Sequence, residues 1–142
     1  MFSVERKVGR LVEYRMAGLV KQEEMEAMMR RFRDVVTQGA ERKIMIVDIR
    51  ALRILVPEVA DEILKQMRRD NPVLERSAIL IGPSALFGLQ MERLVRESAN
   101  KNRRTFRDEE ELLAWVADAL TPAERARAGD FYREGLVDLH VS

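Results

Sequence analysis

The chain has 142 residues, 46% of them hydrophobic and 35% charged, which suits one soluble globular domain with a substantial core. Lys and Arg (25) nearly cancel Asp and Glu (24), so no global field points to nucleic acid or an acidic partner. The absence of cysteine excludes disulfides, thiol catalysis and thiolate metal sites, and a single histidine, His140, argues against a histidine-based zinc centre.

The first ten residues, MFSVERKVGR, are charged within five positions and carry no signal-peptide apolar region. No run approaches the roughly 18 apolar residues of a membrane span, so a cytoplasmic location is expected. Phe2, Val4 and Val8 alternate with Ser3, Glu5 and Lys7; beyond Gly9-Arg10, Val12, Tyr14 and Met16 alternate with Glu13 and Arg15. Two period-two runs around a glycine predict an antiparallel hairpin at a sheet edge, with one wet face. From Ala17-Gly18 to about Gln38 a helix follows, its apolar stripe formed by Met25, Met28, Met29, Phe32, Val35 and Val36. Gly39 stops it. Three methionines at this spacing fit a core face better than an adaptable groove.

Ile44 to Val47 are consecutive apolar residues ending on Asp48, the pattern of a strand buried on both faces in a parallel sheet. Arg50 to Val56 read as a connection, and Pro57 opens a helix at its first position, with Val59, Ala60, Ile63, Leu64 and Met67 at helical spacing. Arg68-Arg69 complement the dipole at its end, and Asn71-Pro72 terminates it. Ser77 to Ile81 form a second buried strand, followed by Gly82-Pro83-Ser84 and a helix from Ala85 to about Ala99 with Phe87, Met91, Leu94 and Val95 inward. Arg103 to Arg107 read as a charged strand at the opposite sheet edge. Asp108 with Glu111, and Thr121-Pro122 with Glu124, are capping-box patterns opening two more helices. The last helix reads as weaker, interrupted by Gly129, with Phe131, Tyr132, Leu136 and Val137 apolar and VDLHVS as a tail.

The order β-β-α-β-α-β-α-β-α-α predicts an α/β fold: a mainly parallel five-stranded sheet with an N-terminal antiparallel hairpin, plus a C-terminal helix. Right-handed crossovers place the connecting helices on one face. Because 44–47 and 78–81 are apolar at every position, the other face also needs a cover. The C-terminal helix is expected to take part, together with a symmetric homodimer partner.

The segments VDIRAL with its Val-Pro-Glu helix start, AILIGPSALFGLQMERLV and RRTFRDEEELLAWV resemble the SpoIIAA-like (STAS-like) family of small bacterial proteins over roughly residues 1–120. Phe106-Arg107-Asp108 and Ala114-Trp115-Val116 look like that family's closing strand and helix. The resemblance implies a SpoIIAA-like β-α superhelix for 1–120, with the helix and tail of 121–142 packed on it, and a fold shared with lipid-transfer domains of the CRAL-TRIO type. In anti-sigma-factor antagonists of this kind, a partner kinase phosphorylates a serine in a loop ending Asp-Ser-Ser/Thr-Gly. Val56-Pro57-Glu58-Val59 stand at those places here, and the loop holds no Ser, Thr or Tyr, which rules out phosphorylation there. Glu58 would either offer fixed negative charge to a partner or, as favoured, only complement the helix dipole.

Gly82-Pro83-Ser84-Ala85-Leu86 superficially resembles a nucleophile elbow, but the last glycine is missing and the one candidate base is His140. Ser84 is better read as an N-cap. Asp48 lies at the carboxyl end of a central strand, where open α/β sheets place ligand crevices, with Arg50, Arg53, Gly82 and Ser84 expected nearby. Without a second carboxylate it marks no metal site or acid–base pair, and such an aspartate more often caps its own loop. Lys101-Asn102-Arg103-Arg104 is a basic patch that reads as a solvated edge. The expectation is a non-enzymatic regulatory or protein-interaction domain, without cofactor, metal or nucleic-acid partner. Its candidate contact residues are Asp48, Arg50, Arg53, Pro57 and Glu58. The rival is a binder of a lipid or other apolar small molecule, which an enclosed pocket of several hundred Å³ would favour.

Overall fold

The computed structural model describes residues 1–141, the side chains of Ile54 and of 137–141 excepted. Strands β1 (Phe2–Glu5) and β2 (Leu11–Met16) form the antiparallel hairpin, which turns at Gly9 with a φ of 56°. Three helix-to-strand units follow in sequence: α1 (Gln22–Val36) leads into the strand Lys43–Asp48, α2 (Pro57–Asp70) into Leu74–Leu80, and α3 (Ala85–Glu97) into Arg103–Phe106. Counting two short strands, β3 (Gly18–Leu19) and β5 (Leu52–Ile54), these three are β4, β6 and β7. The main sheet runs β1-β2-β4-β6-β7, parallel throughout except for the hairpin, with β4 at its centre. The chain closes with α4 (Glu109–Val116) and α5 (Pro122–Val141).

The period of two along the strands divides the core. Val12, Tyr14, Met45, Val47 and Ile79 face α1–α3 and pack with Met28, Phe32, Ile63 and Met91. Leu11, Ile44, Ile46, Ala78 and Leu80 face the other way, onto Leu112, Val116, Ala128, Phe131 and Tyr132 of α4 and α5. The apolar runs of β4 and β6 are thus covered on both sides by one chain, and burial of this face requires no second copy. Each side chain so buried contributes about 1.5–3 kcal/mol.

Four local features depart from the sequence pattern. The connection 50–56 is not all loop: Leu52–Ile54 pairs in parallel with Gly18–Leu19. The face of β2 expected to be wet is closed, because Arg127 and Phe131 of α5 lie over Glu13 and Arg15, leaving Glu13 buried. The last helix passes unbroken through Gly129 and includes residues 137–141, where a tail was expected. Tertiary anchoring of Phe131 and Tyr132 outweighs the roughly 1 kcal/mol that a helical glycine costs. The side chains of His140 and Val137 lie outside what the structure describes. Finally, Arg103 is only 4% exposed although the basic patch reads as solvated; its side chain turns inward to Asn71 Oδ1 (2.8 Å), while Lys101 and Arg104 stay in water.

The helix starts follow the sequence, although among the described residues the Glu111 side chain accepts no return bond from Asp108 N. Ser84 Oγ accepts from Phe87 N (3.3 Å), and Asp108 Oδ1 accepts from Glu110 N (2.7 Å). Thr121 and Glu124 close a reciprocal box, Thr121 N donating to Glu124 Oε1 (2.9 Å) and Glu124 N to Thr121 Oγ1 (3.2 Å). Glu124 Oε2 also accepts from Arg10 N (2.8 Å), tying the start of α5 to the hairpin turn.

Candidate functional site

At the carboxyl end of β4 the strand pleat turns Asp48 toward the α5 side, in line with Ile44 and Ile46. Its carboxylate is 4% exposed and heavily bonded. Arg50 grips it with both arms, Nε to Oδ1 at 3.0 Å and Nη2 to Oδ2 at 2.8 Å, and the Arg50 backbone N–H adds a bond to Oδ1 at 3.1 Å. Arg15, opposite Asp48 on β2, places Nε 3.5 Å from Oδ2. The same two arginines hold α5: Arg15 Nη2 donates to the Phe131 carbonyl and stacks on its ring, and Arg50 Nη2 donates to the Tyr132 carbonyl at 2.7 Å. Tyr132 in turn donates its hydroxyl to the Val47 carbonyl at 3.2 Å. Its own ionisation is pushed up by burial and by the Asp48 charge, so it remains a neutral donor.

This clamp requires a glycine. A β-carbon at Gly135 would stand 2.1 Å from Asp48 Oδ2 and 2.9 Å from Arg50 Nη2, so α5 can lie this close only without a side chain there. About two turns before Gly135, Arg127 reaches Glu13 with bonds of 2.9 and 2.8 Å and Glu134 with two of 2.9 Å, which hold its guanidinium far above the ordinary arginine range.

The candidate residues therefore fall into two groups. Asp48 and Arg50 lie inside the β4–α5 contact, and Asp48 also caps its own loop through the Arg50 N–H. Arg53, Pro57 and Glu58 lie on the rim in water. Pro57 is the first residue of α2, and Glu58 stands in that helix's first turn. On α3 stands a feature the sequence reading passed over: Leu86 and Leu89, 76% and 64% exposed, share the outer face of the first turn of that helix. Next to that face an open groove of about 290 Å³ separates α2 from α3, floored by Leu55, Ala60, Leu64 and Leu94. The signal was present, since Leu86 and Leu89 lie off the stripe formed by Phe87, Met91 and Leu94.

A second unanticipated cluster is internal. Between the sheet and helices α1–α3 lies a cavity of about 40 Å³ with an almost wholly apolar surface, and Gln66, Asp70 and Arg103 are packed among the residues around it. Asp70 has Arg69 and Arg33 at 3.7 and 3.9 Å, on one oxygen only. Burial raises its pKa against the pull of these arginines and Arg103. Burial lowers Arg103 to about 10, which leaves it a cation at neutral pH.

No family model and no curated protein matches the chain. Among solved structures it is similar to an uncharacterised protein of the DUF3478 family with a SpoIIAA-like fold, from Shewanella loihica PV-4. The TM-score is 0.62 at 19% identity, over 82% of this chain and 92% of that one. The likeness is one of fold: a SpoIIAA-like arrangement of a mainly parallel sheet with its hairpin at the edge.

Proposed function

We propose that this SpoIIAA-like domain is a non-enzymatic, regulatory protein-interaction module that docks its partner on the carboxyl-end rim around Arg53, Pro57, Glu58, Leu86 and Leu89. The observation that carries the reading is the pair of exposed leucines on α3 beside the α2–α3 groove. Apolar side chains held out in water on a helix, next to a concavity edged by Asp61, Arg93 and Glu97, have the composition of an interface centre with a charged rim. Control by phosphorylation of the 50–58 loop is excluded by its residues, so the rim acts with constant charge. An interior cavity of about 40 Å³ is far below the several hundred Å³ that a lipid-sized ligand occupies, which favours interaction over lipid carriage.

The test is a Leu86→Asp, Leu89→Asp double variant, with Arg104→Glu on the β7 edge as control. Wild type and both variants would be used to capture partners from the native cell extract. The captured protein would then be reassembled with each variant from purified components on a sizing column. A stoichiometric complex retained by the control and lost by the double variant is expected. Equal binding by all three, or no complex with wild type, overturns the reading.

A further inference from the structure

Helices α1 and α2 both cross between parallel strands on one face of the sheet, so they run the same way and begin at the same end of the domain. Between them lies an open groove of about 490 Å³, with the half-buried Met29 in its wall and charged side chains sorted by sign along it. Glu26, Glu58 and Glu62 stand toward the helix starts, and Arg30, Lys65 and Arg69 toward the helix ends. A net charge of +1 conceals this separation.

The charges of α2 are also placed with a particular symmetry. Glu58, Glu62, Lys65 and Arg69 are all exposed and follow one another at spacings of four, three and four residues, a single stripe on the helix. Reversing that stripe end for end keeps its spacing and exchanges its signs. Two copies of α2 laid antiparallel therefore set Glu58 against the partner's Arg69 and Glu62 against the partner's Lys65, and a two-fold axis repeats both pairs. Within one chain these groups are lightly used: Lys65 lies 3.4 Å from Glu62 with both well exposed, and Arg69 lies 3.7 Å from Asp70. Helix dipoles explain acidic starts and basic ends, but neither the antisymmetric stripe nor the groove beside it.

We propose that the α1–α2 groove is the contact surface of a two-fold homodimer, in which α2 of each copy lies antiparallel in the groove of the other. The occupant matches the groove in length, since α2 with 14 residues and α1 with 15 each extend about 21–23 Å. The partner's α2 also carries its basic end past Glu26 and its acidic end past Arg30, so α1 repeats the complementarity. The contact is small and built on exposed ion pairs, which makes self-association weak and sensitive to salt. The inference goes beyond the rim reading and shares only Glu58 with it, and such a dimer turns the two leucine-bearing rims to opposite ends.

The test is sedimentation velocity on the full chain, in a concentration series from micromolar to near-millimolar, at low and at high salt. Wild type is expected to form a dimer that high salt dissociates. Glu62→Lys and Lys65→Glu each set like charges together twice across the axis and should weaken self-association roughly tenfold or more. Both sites are exposed, so the fold is kept, which an unchanged thermal transition checks. Mixing the two variants in equal amounts restores opposite charges at both contacts and should return a dimer of near wild-type affinity. The double variant Glu62→Lys, Lys65→Glu should dimerise by itself. A wild type that stays monomeric throughout the series overturns the proposal. So does a single variant that dimerises as wild type does, which puts the interface elsewhere, or a mixture that stays monomeric. None of these substitutions touches Leu86, Leu89 or Glu58, so the outcome is read separately from partner capture on the rim.

Discussion

The two faces of the sheet each bury an aspartate, and they treat it differently. On the α5 side Asp48 receives two arm bonds and a backbone N–H from Arg50, with Arg15 as a second counter-charge, and both arginines go on to bond α5. On the α1–α3 side Asp70 has, among the described residues, only long contacts to the half-exposed Arg33 and Arg69, and one of its oxygens has no partner there. Burial is nearly equal, at 4% and 3% exposure, so depth alone does not decide what a buried charge does. A saturated carboxylate works as a fastener, whereas a half-used one leaves bonding capacity for something else.

The largest effect should come from removing what the first aspartate fastens. Tyr132→Ala takes out a fully buried ring and its bond to Val47, and should lower unfolding free energy by about 3–5 kcal/mol in urea titrations. Next come the aspartates as a matched pair. Asp48→Asn should lose about 2–3 kcal/mol, in the range of hydrogen bonds to charged groups. Asp70→Asn at neutral pH should change stability by less than about 1 kcal/mol, because its ion pairs are long and reach exposed partners. Equal losses would break the contrast between the faces.

A third, smaller comparison uses two glycines of α5. Alanine at Gly129 meets only the end of Arg133 at 3.6 Å and should stabilise by about 0.5–1 kcal/mol through helix propensity. Alanine at Gly135 would collide with Asp48 and should cost about 1–2 kcal/mol net, overpacking exceeding the same gain. The smallest effect concerns pH. Burial, opposed by Arg69, Arg33 and Arg103, leaves the Asp70 carboxyl with a raised pKa. A group that holds its proton more tightly when folded contributes stability fully present below its unfolded pKa, about 3.9, and lost as pH rises through the folded value. Wild type should therefore lose stability relative to Asp70→Asn as pH is raised from about 4 through that value, in paired denaturation series.

What could be seen in the sequence was whatever depends on near neighbours. The runs 44–47 and 78–81 announced strands buried on both faces, and Pro57, Ser84, Asp108 and Thr121 announced helix starts, because strand pleating and capping act over a few residues. The α5 contacts were less legible: Arg127 meets Glu13 across 114 positions, and nothing near Gly135 in the sequence announces that Asp48 lies against it. Gln66 and Asp70 left a trace, being polar residues three positions beyond Ile63 and Met67 on an otherwise apolar stripe. Arg103 left none, since its neighbours Lys101 and Arg104 are as basic and fully hydrated.

The position of α5 along the chain has a consequence for biogenesis. All five strands of the main sheet exist once Phe106 has been made, and β1–β7 with α1–α3 can then assemble. The opposite face, with Ile44, Ile46, Ala78 and Leu80, waits for Phe131 and Tyr132. At about 5–20 residues per second the ribosome needs a few seconds to deliver them. During that interval the nascent domain presents a flat greasy surface with Asp48 and its two arginines at one end. A translational pause between Phe106 and Tyr132 would lengthen the exposure and raise dependence on chaperones, whereas a pause after α5 has emerged would not.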